Sequence, residues 1–252
     1  MRNLTIDIGN TNVMMCFFNN NKLQNYENID VLKFNKFNIV SYINKNCLDT
    51  KKINVIISSV VPKIKKDFIE ILKKKKIKYY FVKDLIKLFN LKIKLLNKKN
   101  IGDDRLVNVL YAKNMYIKST MIIDFGTATT IDVLDKNGDY DGGVITPGID
   151  LSLQSLKNGT AKLPLVNFKK TKFVVGKSTT NAIKSGFYWG YRSMIDGLIE
   201  KIAKEQNDIF KIILTGGNSK YFKNCFENVI IIDEFFNTKG LNFLINDYLK
   251  MR

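Results

Sequence analysis

The chain contains one short sequence pattern twice. LTIDIGNTNV spans Leu4 to Val13, and MIIDFGTATTIDV spans Met121 to Val133. In both copies an apolar stretch runs into Ile-Asp, one further apolar residue, a glycine and then small hydroxyl or amide residues. Such a stretch is typical of a buried strand that ends in a tight turn. The repetition at this distance favours two domains of similar structure over one large domain.

The first half reads as alternating strands and helices. We predict strands over Leu4 to Ile8 and Val13 to Phe18, with an Asn-rich hairpin after the second. A buried strand at Val55 to Ile57 then leads into a helix that Pro62 opens. The apolar positions of that helix recur at helical spacing, at Ile64, Phe68, Ile71 and Leu72. YYFVKDLIKLF is interpreted as another strand that runs into a helix.

The second half repeats this plan. The strand Met121 to Phe125 begins a three-strand meander with a turn at Lys136 to Gly138. GFYWGYRSMIDGLIEKIAKE predicts a helix, and FKIILTGGNSKYF predicts a strand, a glycine turn and a helix. Both halves are therefore of the α/β class, and we expect the boundary between Asn108 and Ser119.

The composition excludes several classes of protein. No apolar run approaches the roughly 20 residues that cross a bilayer, and Asp7 interrupts the first apolar stretch, which argues against a signal peptide. Cys16, Cys47 and Cys225 lack metal-ligand spacing and indicate free thiols in a reducing compartment. We therefore expect a cytoplasmic protein with no membrane partner.

The net charge of +18 suggests nucleic-acid binding at first sight. Lysine runs such as Lys73 to Lys76 suit phosphate contacts. The chain has, however, no helix-turn-helix spacing, zinc-ligand set or aromatic-glycine RNA motif. Because lysine is abundant along the whole chain, we interpret the runs as solvated faces and expect no nucleic-acid partner.

The repeated turns suit phosphate binding. An Asp at the end of a buried strand is costly unless it meets a cation or hydrogen-bond donors, and the following Gly lets the backbone approach a ligand. Asn10, Thr11 and Asn12 add donors in the first copy, as do the threonines at 127, 129 and 130 in the second. The alternative is a pair of hairpins whose Asp and Thr only close turns, and the repetition favours a phosphate clamp.

This arrangement resembles the superfamily of acetate and sugar kinases, Hsp70 and actin, in which two ribonuclease-H-like domains close over ATP. Six segments further resemble type III pantothenate kinases in their order, namely DIGNTN, ISSVVP, GDDR, IDFGTATTID, GGVITPG and GKSTTNAIKSG. The resemblance implies an α/β fold of two tandem ribonuclease-H-like (actin-like ATPase) domains with mixed sheets flanked by helices, over residues 1–115 and 116–252. It also implies ATP-dependent phosphorylation of pantothenate to 4'-phosphopantothenate, the first step of coenzyme A biosynthesis.

The resemblance assigns a general base. The family uses the Asp of a Gly-x-Asp-Arg segment, which falls here on Asp104, and the substrate-binding segment is then Gly102, Asp103, Asp104 and Arg105. The chain has no histidine, so a carboxylate is a reasonable proton acceptor. A structural alternative is that GDDR supplies the first-turn acids of a helix, and both interpretations hold together.

The resemblance also assigns the ATP and metal sites. The first ATP-binding loop would comprise Asp7, Ile8, Gly9, Asn10, Thr11, Asn12, Val13 and Met14. Asp7 would lie near Mg²⁺, through water, and Thr127 would contact ATP. Asp124 would bind the K⁺ or NH₄⁺ that the family requires, which suits a site without a P-loop lysine.

Two further features bear on the substrate pocket. The family's substrate threonine falls on Thr179, with Thr180 as the adjacent alternative. Family members often carry a Tyr before Gly-x-Asp-Arg, where this chain has Leu95 or Leu96. The family forms homodimers, and the stretch Gly186 to Tyr191 is a candidate for the interface.

Two other functions compete with this one. A sugar or small-acid kinase of the same superfamily would share both ATP loops but would not require GDDR together with GKSTT. A non-catalytic accessory protein would use its positive charge to bind nucleic acid and would not need Asp104 and Asp124.

Overall fold

The computed structural model describes residues 1–46, 52–116 and 118–251, and these divide into two compact units. The first unit comprises Met1–Lys92, Leu96–Asn114 and Phe236–Arg252. The second comprises Ile93–Leu95 and Met115–Phe235.

The helices and strands follow in chain order. They are β1 (Arg2–Ile8), β2 (Asn12–Asn19), β3 (Lys22–Asp30), α1 (Lys36–Asn46), β4 (Ile53–Ser59), α2 (Pro62–Lys74), β5 (Lys78–Phe81), α3 (Val82–Leu85), α4 (Asp103–Met115), β6 (Thr120–Phe125), β7 (Ala128–Leu134), β8 (Tyr140–Pro147), α5 (Ile149–Asn158), α6 (Thr179–Gln206), β9 (Lys211–Thr215), β10 (Val229–Ile232) and α7 (Phe236–Lys250).

Within the described residues, each unit is built on a five-stranded mixed sheet of the same topology. The strand order is β3-β2-β1-β4-β5 in the first unit and, from the corresponding edge, β8-β7-β6-β9-β10 in the second. In both, the three meander strands pair antiparallel, the fourth strand in this order pairs parallel with the central one, and the fifth pairs parallel with the fourth. The sequence repeat therefore corresponds to a structural repeat, and the predicted pair of α/β domains with mixed sheets flanked by helices is confirmed.

The sheet of the first unit is covered on both faces. Val55 and Ile57 of β4 pack in one apolar cluster with the apolar face of α2. Ile56, which points to the opposite face, packs in a second cluster with residues of α4 and α7. This double burial explains the nearly continuous apolar run of β4, as expected for a parallel strand between helices.

The core of the second unit is centred on an aromatic cluster. The ring of Phe222 stacks on Phe125 of β6 with centroids 4.4 Å apart, and Tyr188 of α6 and Phe168 lie about the same ring. These contacts join the central strand to α6 and to the segment after β9. The position of the turn after β9 is therefore fixed by side-chain packing.

The C-terminal helix departs from the predicted domain division. The resemblance places residues 116–252 in the second domain, but α7 packs in the first unit, with Leu241, Leu244 and Ile245 fully buried. Asn3 of β1 also donates hydrogen bonds to Asn242 and Asn246 at 2.7 and 2.8 Å. An amphipathic helix at the chain end fits against either sheet by its local pattern, so only tertiary packing decides its place.

Three local predictions also needed correction. The helix expected after the glycine turn is only a short 3-10 helix, Ser219–Phe222, because Asn224 and Asn228 adopt left-handed backbone conformations that turn the chain. The helix expected to follow YYF is limited to α3 and a 3-10 turn. Finally, α6 begins earlier than predicted because the Ser178 hydroxyl caps it by accepting from the Asn181 N–H.

Two further observations concern membrane spans and cysteines. Over the described ranges, no helix has both the length and the apolar character needed to cross a membrane. Cys16 and Cys225 are buried free thiols, whereas Cys47 lies outside the described residues.

Candidate active site

Acidic side chains gather at the carboxyl ends of the parallel strands in the first unit. Asp7 is the next-to-last residue of β1 and lies in register with Ser58 of β4. The Ser58 hydroxyl donates a hydrogen bond to the half-buried Asp7 carboxylate. In open α/β sheets, ligands bind outside this end of the strands.

The protonation of Asp7 is strongly perturbed. The pKa of Asp7 is raised from its ordinary value to about 7, mainly by burial and next by the charge of Asp104, with a smaller effect of Asp103, while the Ser58 hydrogen bond opposes them. A carboxylate that is difficult to ionise for these reasons attracts a cation, which would relieve both burial and repulsion.

The GDDR segment forms the start of α4 close to Asp7. The carboxylate of Asp104 folds back over Gly102, so that a methyl group at Gly102 would collide with Oδ1 of Asp104. Asn237 of α7 donates a side-chain hydrogen bond to the Asp104 main-chain oxygen at 3.0 Å. Asp104 and Arg105 are half-buried and therefore reachable by a ligand.

The neighbouring Asp103 has a different environment. It is only 6% exposed, its Oδ1 lies 4.0 Å from Lys83 Nζ, and the Ser59 N–H donates to its carboxylate. Burial raises the pKa of Asp103, and the positive charges of Lys83 and Lys65 act against this rise. The side chain thus offers little surface to a substrate.

The turn between β1 and β2 presents exposed donors. The Gly9 N–H donates to the main-chain oxygen of Asn12 at 2.9 Å, and the Val31 N–H donates to the main-chain oxygen of Thr11 at 2.8 Å. These two hydrogen bonds fix the turn from both sides. The side chains of residues 10–12 are exposed. The rest of the predicted loop is less accessible, since Ile8 and Val13 are buried and Met14 is half-buried.

The corresponding position in the second unit is also built around an aspartate. Asp124 near the end of β6 is half-buried and lies in register with Thr215 of β9. The next residue, Gly216, has φ +83°, and a side chain there would collide with Asp124 Oδ1 and with the backbone of Phe125. A Cβ at Gly126 would lie 3.2 Å from the same oxygen. Two glycines therefore shape the space around this carboxylate.

Thr127 and Thr179 lie elsewhere in the second unit. Thr127 is exposed in the β6–β7 turn, where its carbonyl accepts from the Gly148 N–H at 3.1 Å. A side chain at Gly148 would collide with that carbonyl, which explains the glycine of the TPG turn. Thr179 is the exposed first residue of α6.

The structure thus brings Asp7, Asp103 and Asp104 together in the first unit. It adds Ser58, Ser59 and Lys83, none of which the sequence analysis singled out as site residues. Their common signal is position, because residues at the carboxyl ends of parallel strands and at helix starts converge on one edge of a sheet. Within the described residues, no group of three or more acidic or thiol side chains forms a ready metal cage.

Known proteins match the chain over most of its length. The family model "Type III pantothenate kinase" matches residues 3–201. A type III pantothenate kinase of Pelagibacter ubique is 42% identical over 244 residues, covering 93% of this chain and 95% of the relative.

Two solved structures superpose on this chain and identify its fold. A Campylobacter jejuni protein described as a Baf family transcriptional activator superposes with a TM-score of 0.62 at 20% identity, covering 98% of this chain and 99% of that one. An activator of 2-hydroxyisocaproyl-CoA dehydratase from Clostridium difficile, with bound ADPNP, gives 0.56 at 12% identity, covering 100% and 97%. The fold is that of the actin-like ATPase domains, and the extent of the family match, with 42% identity to a full-length relative, shows that the chain belongs to the type III pantothenate kinase family.

Proposed function

We propose that Asp104 takes up the proton of the attacking hydroxyl in the reaction that this type III pantothenate kinase catalyses, the ATP-dependent phosphorylation of pantothenate to 4'-phosphopantothenate. The observation that carries this assignment is the placement of Asp104. Its half-buried carboxylate lies over Gly102 at the start of α4, close enough to Asp7 for its charge to raise the Asp7 pKa. Phosphoryl transfer requires orientation of the nucleophile more than a strong base, so a carboxylate suffices.

The rest of the segment would bind the substrate. Gly102 leaves the space in which the Asp104 carboxylate lies, and Arg105 supplies a planar fork suited to a carboxylate or a phosphoryl oxygen. Thr179 would contribute its exposed hydroxyl at the start of α6. Thr180, which is half-buried, is the less accessible of the two adjacent hydroxyls.

The turn after β1 would bind the phosphates of ATP. The side chains of Asn10, Thr11 and Asn12 are exposed donors, and Asp7 is suited to Mg²⁺ through a bound water. The fit to Mg²⁺ rests on the raised pKa of Asp7, whose burial and neighbouring charges favour a nearby cation. Mg²⁺ usually keeps several waters and takes few carboxylates, and its charge neutralises that of the phosphates.

Asp124 would hold the monovalent cation. Gly126 and Gly216 let the backbone approach the Asp124 carboxylate closely, and this half-buried carboxylate offers the oxygen ligands that such an ion takes. A K⁺ or NH₄⁺ ion there would supply positive charge that the chain, lacking a P-loop lysine, does not provide. Thr127, exposed in the adjoining turn, would contact ATP.

A homodimer is proposed from the exposed face of α6. An apolar cavity of about 460 Å³ lies between α5 and α6 and is lined by Phe187, Tyr191 and Met194, among others. Gly186 and Gly190 are exposed on this face, and a Cβ at either would meet nothing within 4 Å. Small residues with an apolar cavity suit close approach of a second copy.

We place the enzyme in the cytoplasm, since Cys16 and Cys225 are free thiols.

The decisive experiment is ATP turnover with and without pantothenate, in sodium and then in potassium or ammonium buffer. We expect turnover only with pantothenate and with K⁺ or NH₄⁺. Asp104→Asn should lower kcat by about 10²- to 10⁴-fold while nucleotide affinity changes little. Asp84→Asn, an exposed acid of the same unit, serves as the control. Unchanged turnover in Asp104→Asn would remove this residue from the mechanism, and turnover without pantothenate would point to another acceptor.

A further inference from the structure

Asp103 is a buried carboxylate that the chemistry proposed above does not use. Its side chain is 8% exposed, and its Oδ1 has no hydrogen-bond partner among the described residues. The Ser59 N–H donates to the carboxylate, and Lys83 lies at the outer limit of an ion pair. The resemblance leaves this position variable, so the family match gives no reason for an acid here.

Keeping a charge at this place is costly. Burial raises the pKa of Asp103, and only the charges of Lys83 and Lys65 and the Ser59 hydrogen bond favour the ionised form. Lys65 is itself positioned, because its Nζ lies 4.0 Å from the centroid of the Phe81 ring. A small neutral residue would avoid the desolvation cost. Lys83 and Lys65 therefore offset only part of the cost of burying this acid.

The contacts of Asp103 connect two parts of the site. Ser59 is the last residue of β4, and the preceding Ser58 hydrogen-bonds to Asp7. Asp103 itself is the first residue of α4 and precedes Asp104, whose carboxylate folds over Gly102. The link from Asp103 to the Ser59 N–H thus fastens the turn that carries Asp104 to the strand end that holds Asp7.

We propose that Asp103 is a positioning residue that acts through Asp104, by fastening the first turn of α4 to the end of β4. This inference rests on the proposed function, since it needs Asp104 to take part in the reaction. The hydrogen bond from Ser59 fixes the turn, and the positive charges of Lys83 and Lys65 offset part of the cost of burying the acceptor. Displacement of a reacting group by about 1 Å can reduce a rate by about 100-fold.

The test compares Asp103→Ala with Asp103→Asn. The amide oxygen of Asn still accepts from Ser59, so we expect Asp103→Asn to keep kcat within about threefold of the wild type. Asp103→Ala removes the acceptor and should lower kcat by about 10- to 100-fold. The KM for ATP should change less than about twofold in both. Asp84→Ala, which removes an exposed acid from the same unit, is the matched control and should be silent.

A double-mutant cycle separates positioning from general damage. If Asp103 acts through Asp104, adding Asp103→Ala to Asp104→Asn should leave the residual single-turnover rate unchanged. If the two losses multiply, or if Asp103→Ala alone has wild-type kcat, the inference is overturned. Full activity of Asp104→Asn would instead overturn the proposed function, so the two failures are distinguishable.

Folding is monitored by urea unfolding and by ADP binding. If Asp103→Ala does not fold, Asp103→Glu replaces it in the cycle, because Glu keeps the charge but lengthens the link to Ser59. A loss of kcat in Asp103→Glu that disappears in the Asp104→Asn background supports the inference. Wild-type kcat in Asp103→Glu contradicts it.

Discussion

At the scale of single residues, buried charges and glycines determine the shape of the candidate site. Burial and the charge of Asp104 raise the pKa of Asp7 and so disfavour its ionised form. A side chain at Gly102 would displace the Asp104 carboxylate, and one at Gly216, whose φ is +83°, would collide with Asp124 Oδ1 and with the backbone of Phe125. Each of these features leads to a measurable consequence.

Asp7 should make the metal-free protein less stable as the pH rises. The folded-state pKa of about 7 exceeds the ordinary value of 3.8, so the folded chain binds the proton more tightly than the unfolded chain. The cost of ionising Asp7 is therefore absent below the ordinary pKa and is complete above about pH 7. Asp7→Asn removes this cost, and we expect it to raise the free energy of unfolding by about 2 to 4 kcal/mol at about pH 8.

Urea unfolding without divalent ions, at about pH 8 and about pH 4, measures this difference. The gain from Asp7→Asn should nearly vanish at the lower pH. Mg²⁺ should stabilise the wild type more than the variant at the higher pH. A gain of equal size at both pH values would show that the Asp7 charge is not its cause.

Gly102→Ala should reduce catalysis more than stability. The added methyl group collides with Asp104 Oδ1, so the carboxylate must turn away from its position over the glycine. We expect kcat to fall by about 10- to 100-fold with little change in nucleotide affinity. Steady-state kinetics measure both. Gly197→Ala, where the new Cβ meets nothing within 4 Å, is the control, and equal kcat values for the two variants would contradict the assigned position of Asp104.

At the scale of helices and strands, two contacts are most informative. α7 is attached to β1 by a buried amide network, in which Asn3 donates to Asn242 and Asn246. α6 presents glycines and an apolar cavity on one face. The first contact concerns the stability of the first unit, and the second concerns the proposed dimer.

Asn3→Ala should destabilise the first unit. The substitution leaves the Asn242 and Asn246 oxygens without the donor that Asn3 provides, and a buried acceptor that loses its partner costs about 1 to 3 kcal/mol. We expect the free energy of unfolding, measured in urea, to fall by that amount. Asn44→Ala removes the exposed hydrogen bond from Lys75 and should change it by less than about 0.5 kcal/mol. Equal effects would mean that the buried network contributes nothing specific.

Gly190→Leu should dissociate the proposed homodimer. The added side chain would project from the exposed face of α6, next to the apolar cavity, and would prevent close approach of a second copy. Sedimentation velocity should show a dimer for the wild type and a monomer for the variant. Glu205→Leu adds a similar side chain near the end of the same helix, about 22 Å away, and should leave the dimer intact. A dimer in both variants would place the interface elsewhere.

At the scale of the whole molecule, the net charge of +18 is the dominant property. We interpret it as a general lysine excess that favours small polyanions and not as a nucleic-acid site. Duplex DNA should therefore bind weakly, without sequence preference, and should be released between about 50 and 200 mM salt. Fluorescence anisotropy with two unrelated duplexes measures this. Tight, sequence-selective binding in a protein without pantothenate-dependent turnover would favour the accessory-protein alternative.

Much of the fold was predictable because its signals are local. The apolar run and the Asp-Gly turn identify β1 and β6, and Pro62 with a helical apolar pattern identifies α2. The turn after β9 was predicted, but the helix after it is only the short 3-10 helix Ser219–Phe222, because left-handed residues such as Asn224 turn the chain. α5, which follows Gly148, had no signal that was recognised in the sequence.

The sequence by itself determined the repeated α/β plan, the family and the segments at which chemistry was expected, because motif order and hydrophobic periodicity are written along the chain. Only the tertiary structure decided that α7 joins the first unit, that Ser58 bonds to Asp7, and that Asp103 is buried against Ser59. These facts depend on contacts between residues far apart in sequence. Burial and electrostatic environment arise from such contacts, so no local pattern contains them.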